Sequence, residues 1–373
     1  MNKKTQKETE LQKIASNGFN LQKRSDTDID LAFISLKIAL KAYFSTYHCY
    51  KSSMNLFIIN GDWSDDIIYP GYLEKPMLAK YCEAYTECII HFHHFAELVC
   101  KNFLRHDNPL FVDFPSNDKN IVLKYKIIKN ELSLEDENNV KTTRFLETLK
   151  ALLELIQEKS LKNDYYNEQL SFMTDYKEML ETLNALRNKV WHRGLYVLNY
   201  EALDELVGKY ILPFVDKVTK HKTYSLYENL WKHEKIDCGI DPIQEIINHF
   251  KNDSYNIEKI AFLKELGRAA YNIPSCEVND SKKVKEAIEA KALIISQNNY
   301  DPEISKCPVC GVNSLITYKD IDFDRDGYSG KIRGILSSWP FIVKCEFCSF
   351  EVHLNDIDNA SNYGIEGIRD YWM

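Results

Sequence analysis

The sequence predicts a mainly α-helical protein with helical extensions and a small β-rich domain at its C-terminal end. Apolar residues recur every three or four positions over long stretches between residues 29 and 296, which is the period of helices with one buried face. Two C-x-x-C pairs lie within residues 301–373 and enclose segments rich in β-branched and aromatic residues. Hydrophobic residues make up 45% of the 373 residues and charged residues 27%, so the chain can bury a substantial core.

Four consecutive segments are predicted. They are an N-terminal helical extension (residues 1–75), a helical bundle (76–222), a helical linker region (223–300) and the β-rich domain (301–373). The extension contains one apolar helix within residues 29–50 and closes at turn signals such as Pro70 and Gly71. The chain is long enough for about two or three domains of ordinary size.

The charge and the N-terminal sequence favour a cytoplasmic protein. The net charge of −8 and the pI of about 5.8 argue against a histone-like basic surface, although a local basic cleft remains compatible with nucleic acid. No segment approaches the roughly 18 uninterrupted apolar residues of a membrane span. The first ten residues, M-N-K-K-T-Q-K-E-T-E, are followed by no apolar signal-peptide core. We therefore expect no membrane association.

Two long helices dominate the predicted bundle. The first spans residues 76–105 and contains F-A-E-L-V-C-K-N-F-L, in which Glu97 lies among apolar residues, four positions before Lys101. The second spans residues 167–192, and its buried face is predicted from positions that recur every three or four residues: Leu170, Met173, Tyr176, Met179, Leu180, Leu183 and Leu186.

The end of the second helix carries a group suited to phosphodiester chemistry. Residues 184–194 read N-A-L-R-N-K-V-W-H-R-G and contain Arg187, Asn188 and His192. Imidazole can move a proton near neutral pH, guanidinium can hold a phosphate, and a carboxamide can orient either group. Arg187 and His192 lie about 140° apart around an ideal helix, so they meet on one phosphate only if the last turn is distorted or a second copy faces the first. Alternatively, Arg187 pairs with an acid and His192 merely ends the helix before Gly194.

The sequence R-N-K-V-W-H resembles the R-N-x-x-x-H motif of HEPN domains, helical bundles found in many prokaryotic ribonuclease toxins and defence proteins. The segment around Glu97 resembles the HEPN helix that carries a Glu among apolar residues. An unpaired buried carboxylate is costly, so Arg187 is its expected partner; the alternative is a surface pair between Glu97 and Lys101. Some HEPN toxins carry a modified Tyr at the position of Gly194, and that branch is not supported.

The resemblance implies a metal-independent endoribonuclease that uses the 2′-OH of its RNA substrate as nucleophile. It also implies the role of a toxin or an antiphage effector. His192 would act as general acid or base, Arg187 would stabilise the phosphorane, and Asn188 would orient the pair. The resemblance also implies a homodimer with a composite active site, and an antitoxin or regulatory partner. The alternative function is a non-catalytic module that binds RNA or protein.

The β-rich segment holds the most specific motif of the chain. Its four cysteines supply four soft thiolates for a tetrahedral Zn²⁺ and predict a zinc ribbon: Cys307, Cys310, Cys345 and Cys348. Because no coordination position stays open, the expected role of the zinc is structural. In the non-catalytic alternative, this ribbon would read nucleic acid. Asp322, Asp324 and Asp326 resemble the start of a calcium loop, but Arg333 replaces the required Glu, which argues against calcium.

Cys88, His91 and His94 recur every three residues on the first long helix. A metal site is conceivable there, but no second cluster completes a tetrahedron nearby in sequence. Packing of these side chains and of the adjacent His93 inside the bundle is the preferred interpretation. The alternative is that His91, His93 or His94 lines the nuclease cleft.

Overall fold

The computed structural model describes residues 31–49, 76–193, 196–233, 235–274, 281–297, 303–325 and 332–353. This part of the chain is mainly helical, as predicted. Its α-helices are α1 (Leu31–Ser45), α2 (Pro76–Asp107), α3 (Ile121–Lys129), α4 (Leu134–Glu137), α5 (Phe145–Gln157), α6 (Lys177–Arg193), α7 (Tyr200–Glu205), α8 (Leu212–Lys220), α9 (Glu228–Trp231), α10 (Pro242–Lys251), α11 (Ile257–Tyr271) and α12 (Ser281–Gln297). The turn signals predicted at Pro70 and Gly71 lie outside the described residues.

Two antiparallel sheets accompany the helices. A short ribbon pairs β1 (Asp113–Pro115) with β2 (Val140–Thr142). The second sheet has four strands in sequence order, β3 (Glu303–Ser305), β4 (Leu315–Arg325), β5 (Ile332–Cys345) and β6 (Glu351–His353). The small β-rich region near the C-terminus is therefore confirmed.

Helix α2 is the element on which the first part of the chain packs. Helix α1 lies along it and buries Phe33, Leu36, Leu40 and Tyr43 completely. Helices α5 and α6 also contact α2. The predicted helix at residues 29–50 is observed as α1 followed by a 3₁₀ turn, Thr46–Cys49. The apolar face of α1 is thus part of the core rather than a covering at its edge.

The second predicted long helix is not continuous. A π-helical turn at Tyr165–Gln169 and a 3₁₀ segment at Ser171–Tyr176 precede α6. At their junction the N–H of Leu170 bonds to the carbonyl of Tyr165, five residues earlier, so the regular α-helical pattern is interrupted. The predicted face nevertheless points inward, since six of its seven residues are buried and Tyr176 is partly buried.

The closing helix, residues 200–220, contains one wide turn. Helices α7 and α8 are joined without a break by a π-helical turn at Leu206–Ile211. Pro213 follows this turn; it has no N–H to donate, and its ring would clash with the carbonyl four residues earlier in a regular α-helix. Within the turn, a Cβ on Gly208 would lie 2.3 Å from the ring of Phe250 on α10. Glycine there lets α10 pack closely on the π turn.

A buried ion pair joins four helical elements. Lys264 of α11 and Asp204 of α7 form a salt bridge in which both side chains are fully buried. The hydroxyls of Tyr43 and Tyr255 donate to the Asp204 carboxylate at 3.1 and 3.3 Å, and Lys264 Nζ donates to Thr46 Oγ1 at 3.0 Å. Burial raises the pKa of Asp204, while Lys264 and the two phenols act in the opposite direction. Both charges are therefore compensated by several polar partners.

The core continues from the helices into the β-rich region. One cluster of buried residues includes Phe33 and Phe262 of the helices together with Leu315, Val343 and Phe350 of the β-rich region. The rings of Phe262 and Phe350 meet edge to face, with centroids 6.3 Å apart. Packing is thus continuous across the predicted boundaries at residues 222 and 300. None of the helices in the described ranges combines the length and apolar composition that a membrane span requires.

Removing the buried cation should destabilise the whole chain. In Lys264→Met, the carboxylate of Asp204 stays buried without its ion partner, and breaking a buried pair in this way costs about 3–5 kcal/mol. The free energy of unfolding, measured by urea denaturation, should fall by that amount. The matched control is Lys209→Met, since the exposed pair of Lys209 with Glu205 on α7 should contribute little. Equal effects of the two substitutions would contradict the central role of the buried pair.

Candidate functional site

Helix α6 runs antiparallel to α2. Near the start of α2, the hydroxyl of Tyr81 donates to the carbonyl of Leu198, which follows α6. Further along α2, His93 Nε2 lies 3.0 Å from Asn184 Oδ1 in the middle of α6. The C-terminal end of α6, which carries the predicted motif, therefore lies beside the first half of α2.

The three motif residues occupy two different environments. Arg187 is half-buried; its Nη1 donates to Asn188 Oδ1 at 3.0 Å, and its guanidinium carbon lies 5.6 Å from the centroid of the Trp191 ring. His192 is exposed. Helix α6 is regular through Arg193, and within the described residues no contact joins Arg187 to His192. The last turn is not distorted in a way that would bring these two side chains together within one chain.

A row of polar residues lies on α2, behind the motif of α6. Lys101 is buried and donates to Glu97 Oε1 at 2.6 Å. The other oxygen of Glu97 lies 3.9 Å from His93 Nδ1, and His93 in turn meets Asn184 on α6. The ion partner of Glu97 is thus Lys101, the alternative raised from the sequence, although the pair is largely buried rather than on the surface. Arg187, the other expected partner, hydrogen-bonds Asn188 instead.

Burial is the main influence on the pKa of His93. It lowers the pKa of His93, and the nearby charge of Arg187 acts in the same direction, whereas Asn184 and Glu97 act against it. The ring also packs edge to face on Phe145, with centroids 4.8 Å apart. Sequence reasoning named His93 only as an alternative lining residue of the nuclease cleft and assigned no role to Asn184. The available signal was the spacing of His93, Glu97 and Lys101, which places three polar groups four residues apart on one helix face.

The other residues of the histidine cluster on α2 have separate surroundings. Cys88 is fully buried, and burial raises the pKa of its thiol. His94 Nδ1 lies 2.7 Å from the hydroxyl of Ser35 on α1, and burial lowers the pKa of both His91 and His94. Cys88 is thus buried, His91 half-buried and His94 exposed, so the three side chains do not share one environment.

The four cysteines of the β-rich region form a metal-binding geometry. Their Sγ atoms all lie within 4.8 Å of one another, and the Cys307–Cys348 and Cys310–Cys345 pairs are 3.6 Å apart. Four thiolates around an ion at about 2.3 Å would be separated by about 3.8 Å in a tetrahedron. Three of the four side chains are buried and Cys310 is half-buried. The donor set therefore fits a tetrahedral ion that prefers sulfur ligands.

The two knuckles have the same backbone shape. Gly311 and Ser349 each follow the second cysteine of a pair, and their φ angles are +72° and +61°. The N–H of each bonds back to the carbonyl of the first cysteine, Cys307 or Cys345, at 3.0 and 3.1 Å. In addition, the N–H of Phe347 donates to Cys345 Sγ at 3.4 Å. The left-handed backbone of both knuckles and the N–H of Phe347 directed at sulfur help to pre-organise the cysteines for an ion.

The helical part of the chain holds both knuckles. The N–H groups of Asp237 and Cys238 each donate at 2.9 Å to carbonyls of the first knuckle. On the second side, Arg268 of α11 donates to the hydroxyl of Ser349 at 3.2 Å and also to its carbonyl, and the N–H of Glu351 donates to Glu265 at 2.6 Å. Burial raises the pKa of Glu265 to about 7, against the effect of Arg268. The cysteine site is thus built into the protein surface rather than attached to it by a tether.

Comparison of the chain with known proteins gave no matching family model, no matching curated protein and no matching solved structure. The resemblance to HEPN domains therefore rests on the residues of the motif and on the segment around Glu97.

Loss of one knuckle thiolate should affect the entire chain. Cys345→Ser should lose its metal and unfold in a single transition at lower temperature, because the cysteines share a core with the helices and structural zinc supplies an apparent ~10–16 kcal/mol in small domains. Elemental analysis and calorimetry would measure both effects. Cys82→Ser on α2, which lies outside the cluster, is the control and should keep the metal. A variant that retains its metal would show that Cys345 is not a ligand.

Proposed function

We propose that the protein is a metal-independent endoribonuclease of the HEPN type. The observation that carries this proposal is a solvent-accessible Arg–Asn–His group at the end of α6, within a stretch that contains no acidic residue between Glu181 and Glu201. In a chain of net charge −8, such a segment favours contact with a polyanion. Its residue types match the needs of phosphodiester cleavage.

The reaction would use the RNA's own 2′-OH as nucleophile. A base removes the 2′ proton, the O2′–P bond forms, the P–O5′ bond breaks, and an acid protonates the departing O5′; the products are a 2′,3′-cyclic phosphate and a 5′-OH. His192 supplies proton transfer, a contribution of about 10²–10⁴-fold. Arg187 stabilises the additional negative charge on phosphorus, and Asn188, its hydrogen-bond partner, fixes the direction of the guanidinium.

A homodimer would complete the site. Arg187 and His192 point about 140° apart around one regular helix, and α6 shows no distortion that would reduce this angle. Two copies of α6 facing each other would bring Arg187 of one protomer towards His192 of the other. The two copies of His192 would then serve as the base and the acid of one reaction. A symmetric dimer is also the commonest arrangement among soluble oligomers.

Glu97 has an indirect role in this proposal. Its carboxylate is held by Lys101 and lies near His93, one layer behind the motif. Through His93 and Asn184 it connects α2 to α6. Glu97 would therefore act as a positioning residue that keeps the facing helices in register, while Arg187, Asn188 and His192 touch the substrate.

The cysteine site would hold a structural Zn²⁺. Zinc accepts four thiolates in a tetrahedron and leaves no position for substrate. The knuckles contact α11 and the segment at Asp237, so zinc would stabilise the fold without taking part in the chemical step. A cytoplasmic toxin or antiphage effector, controlled by an antitoxin or a regulatory partner, is the biological role that this activity would serve.

The second candidate function is a non-catalytic module that binds RNA or protein, with the zinc ribbon as a nucleic-acid reader. It is favoured by one observation, the separation of Arg187 and His192 within a single chain. Cleavage of RNA by the purified protein distinguishes the two functions. Binding without cleavage would support the module.

His192→Ala should abolish RNA cleavage without changing the fold. The side chain is exposed at a helix end, so little packing depends on it, and the loss should be about 10²–10⁴-fold, as for other general acids and bases. Product analysis on gels and circular dichroism would measure the two effects. His106→Ala, a change at another exposed histidine, is the control. Full activity of His192→Ala would place the chemistry elsewhere.

Brief treatment with EDTA should leave the rate of cleavage unchanged. The proposed chemistry uses no metal ion, and zinc in the closed four-cysteine site would be structural. Cleavage rates in EDTA and in a titration of Mg²⁺ would be compared for the same RNA. A rate that rises in proportion to added Mg²⁺ would contradict the HEPN mechanism.

A further inference from the structure

We propose that Trp191 stacks on an unpaired base next to the scissile phosphate; this inference rests on the proposed function. Trp191 is the largest side chain on the exposed face of α6, and 63% of it is accessible. Its neighbours Leu186 and Val190 on the same helix are buried. The exposed indole of Trp191 is therefore available to contact a ligand.

The position of Trp191 around the helix lies inside the motif. The angles around the helix are measured from Arg187, with about 100° per residue. Trp191 then lies at about 40°, Asn188 at about 100° and His192 at about 140°, all in the same direction. The indole therefore lies between the guanidinium that would hold the phosphate and the imidazole that would move the proton. A base stacked on it would belong to a nucleotide whose phosphate reaches both groups.

Each of two aromatic rings near this end of α6 has a cationic side chain next to its face. The guanidinium carbon of Arg187 lies 5.6 Å from the Trp191 centroid, and Lys189 Nζ lies 4.1 Å from the centroid of Tyr196, whose ring is 40% exposed. Aromatic faces bordered by cations are the features that proteins use for single strands, because each base offers a face to stack and each phosphate a charge to pair. The negative end of the α6 dipole would repel a phosphate, and these side-chain cations offset it.

The chemistry favours a single strand over the other possible occupants. In a duplex, the bases are stacked on each other and their faces are closed to an indole, whereas splayed bases in loops and ends are open to it. The 2′-OH that the proposed cleavage needs is also free to align on phosphorus in a flexible strand.

The test measures binding separately from cleavage. The probe is a short, fluorescently labelled oligonucleotide with 2′-O-methyl sugars, which cannot be cleaved because no 2′-OH is present. By fluorescence anisotropy, Trp191→Ala should weaken binding by about 5- to 150-fold, the range found for loss of one stacked base, and Trp191→Phe should retain most of the affinity. The matched control is Trp339→Ala on β5, where another tryptophan is 44% exposed, and its affinity should equal that of the wild type. Pairing the probe with its complement should remove the effect of Trp191→Ala.

Several results would overturn the inference. The first is that the wild type does not bind the probe. The second is that Trp191→Ala binds it as tightly as the wild type, and the third is that Trp339→Ala loses as much affinity as Trp191→Ala. Light scattering is the further check: a Trp191→Ala protein that changes its oligomeric mass while binding the probe normally would assign the indole to a contact between protomers. If binding depends on Trp191 but unmodified RNA is not cleaved, stacking stands and the nuclease fails. If RNA is cleaved but binding does not depend on Trp191, the nuclease proposal stands and the stacking inference fails.

Discussion

The ion pair between Asp204 and Lys264 is the constraint on which the packing of the described helices depends. Its two charges have no access to water, so each must meet polar partners in fixed directions. Tyr43 comes from α1, Thr46 from the 3₁₀ turn that follows it, and Tyr255 from the segment before α11. A shift of any of these elements would leave a buried charge uncompensated. An apolar core of the same volume would tolerate such shifts, so we interpret the pair as a device for a unique arrangement.

The same arrangement carries both candidate sites. Helix α2 buries one side against α1 and presents His93 and Glu97 to α6, so the direction of α6 and of its motif follows from the core. Helix α11 supplies Lys264 to the ion pair and, one residue later, Glu265 to the cysteine knuckle. The cysteine cluster and the buried ion pair are thus linked through adjacent residues of α11.

Local patterns predicted what depends on local physics. The spacing of apolar residues indicated α1, α2 and the buried face of α6, and the spacing of cysteines indicated the metal geometry, because each signal lies within one element or one pair of turns. Contacts between distant residues left no such pattern. The bond of His93 to Asn184 crosses 91 residues and that of Tyr43 to Asp204 crosses 161. The break before α6 was missed for a related reason. The spacing of apolar residues along a buried face differs by no more than about one residue between α, 3₁₀ and π turns.

The span of the Lys264–Thr46 hydrogen bond has a consequence for synthesis of the protein. The two residues are 218 positions apart, and ribosomes add about 5–20 residues per second. After Thr46 emerges, roughly 10–40 s pass before its partner is made. During that time the apolar surface of α1 lacks the cover that α11 supplies, so the nascent chain offers a binding surface to chaperones. A truncated product that ends before α11 would keep this surface permanently and should be a preferred substrate for proteolysis.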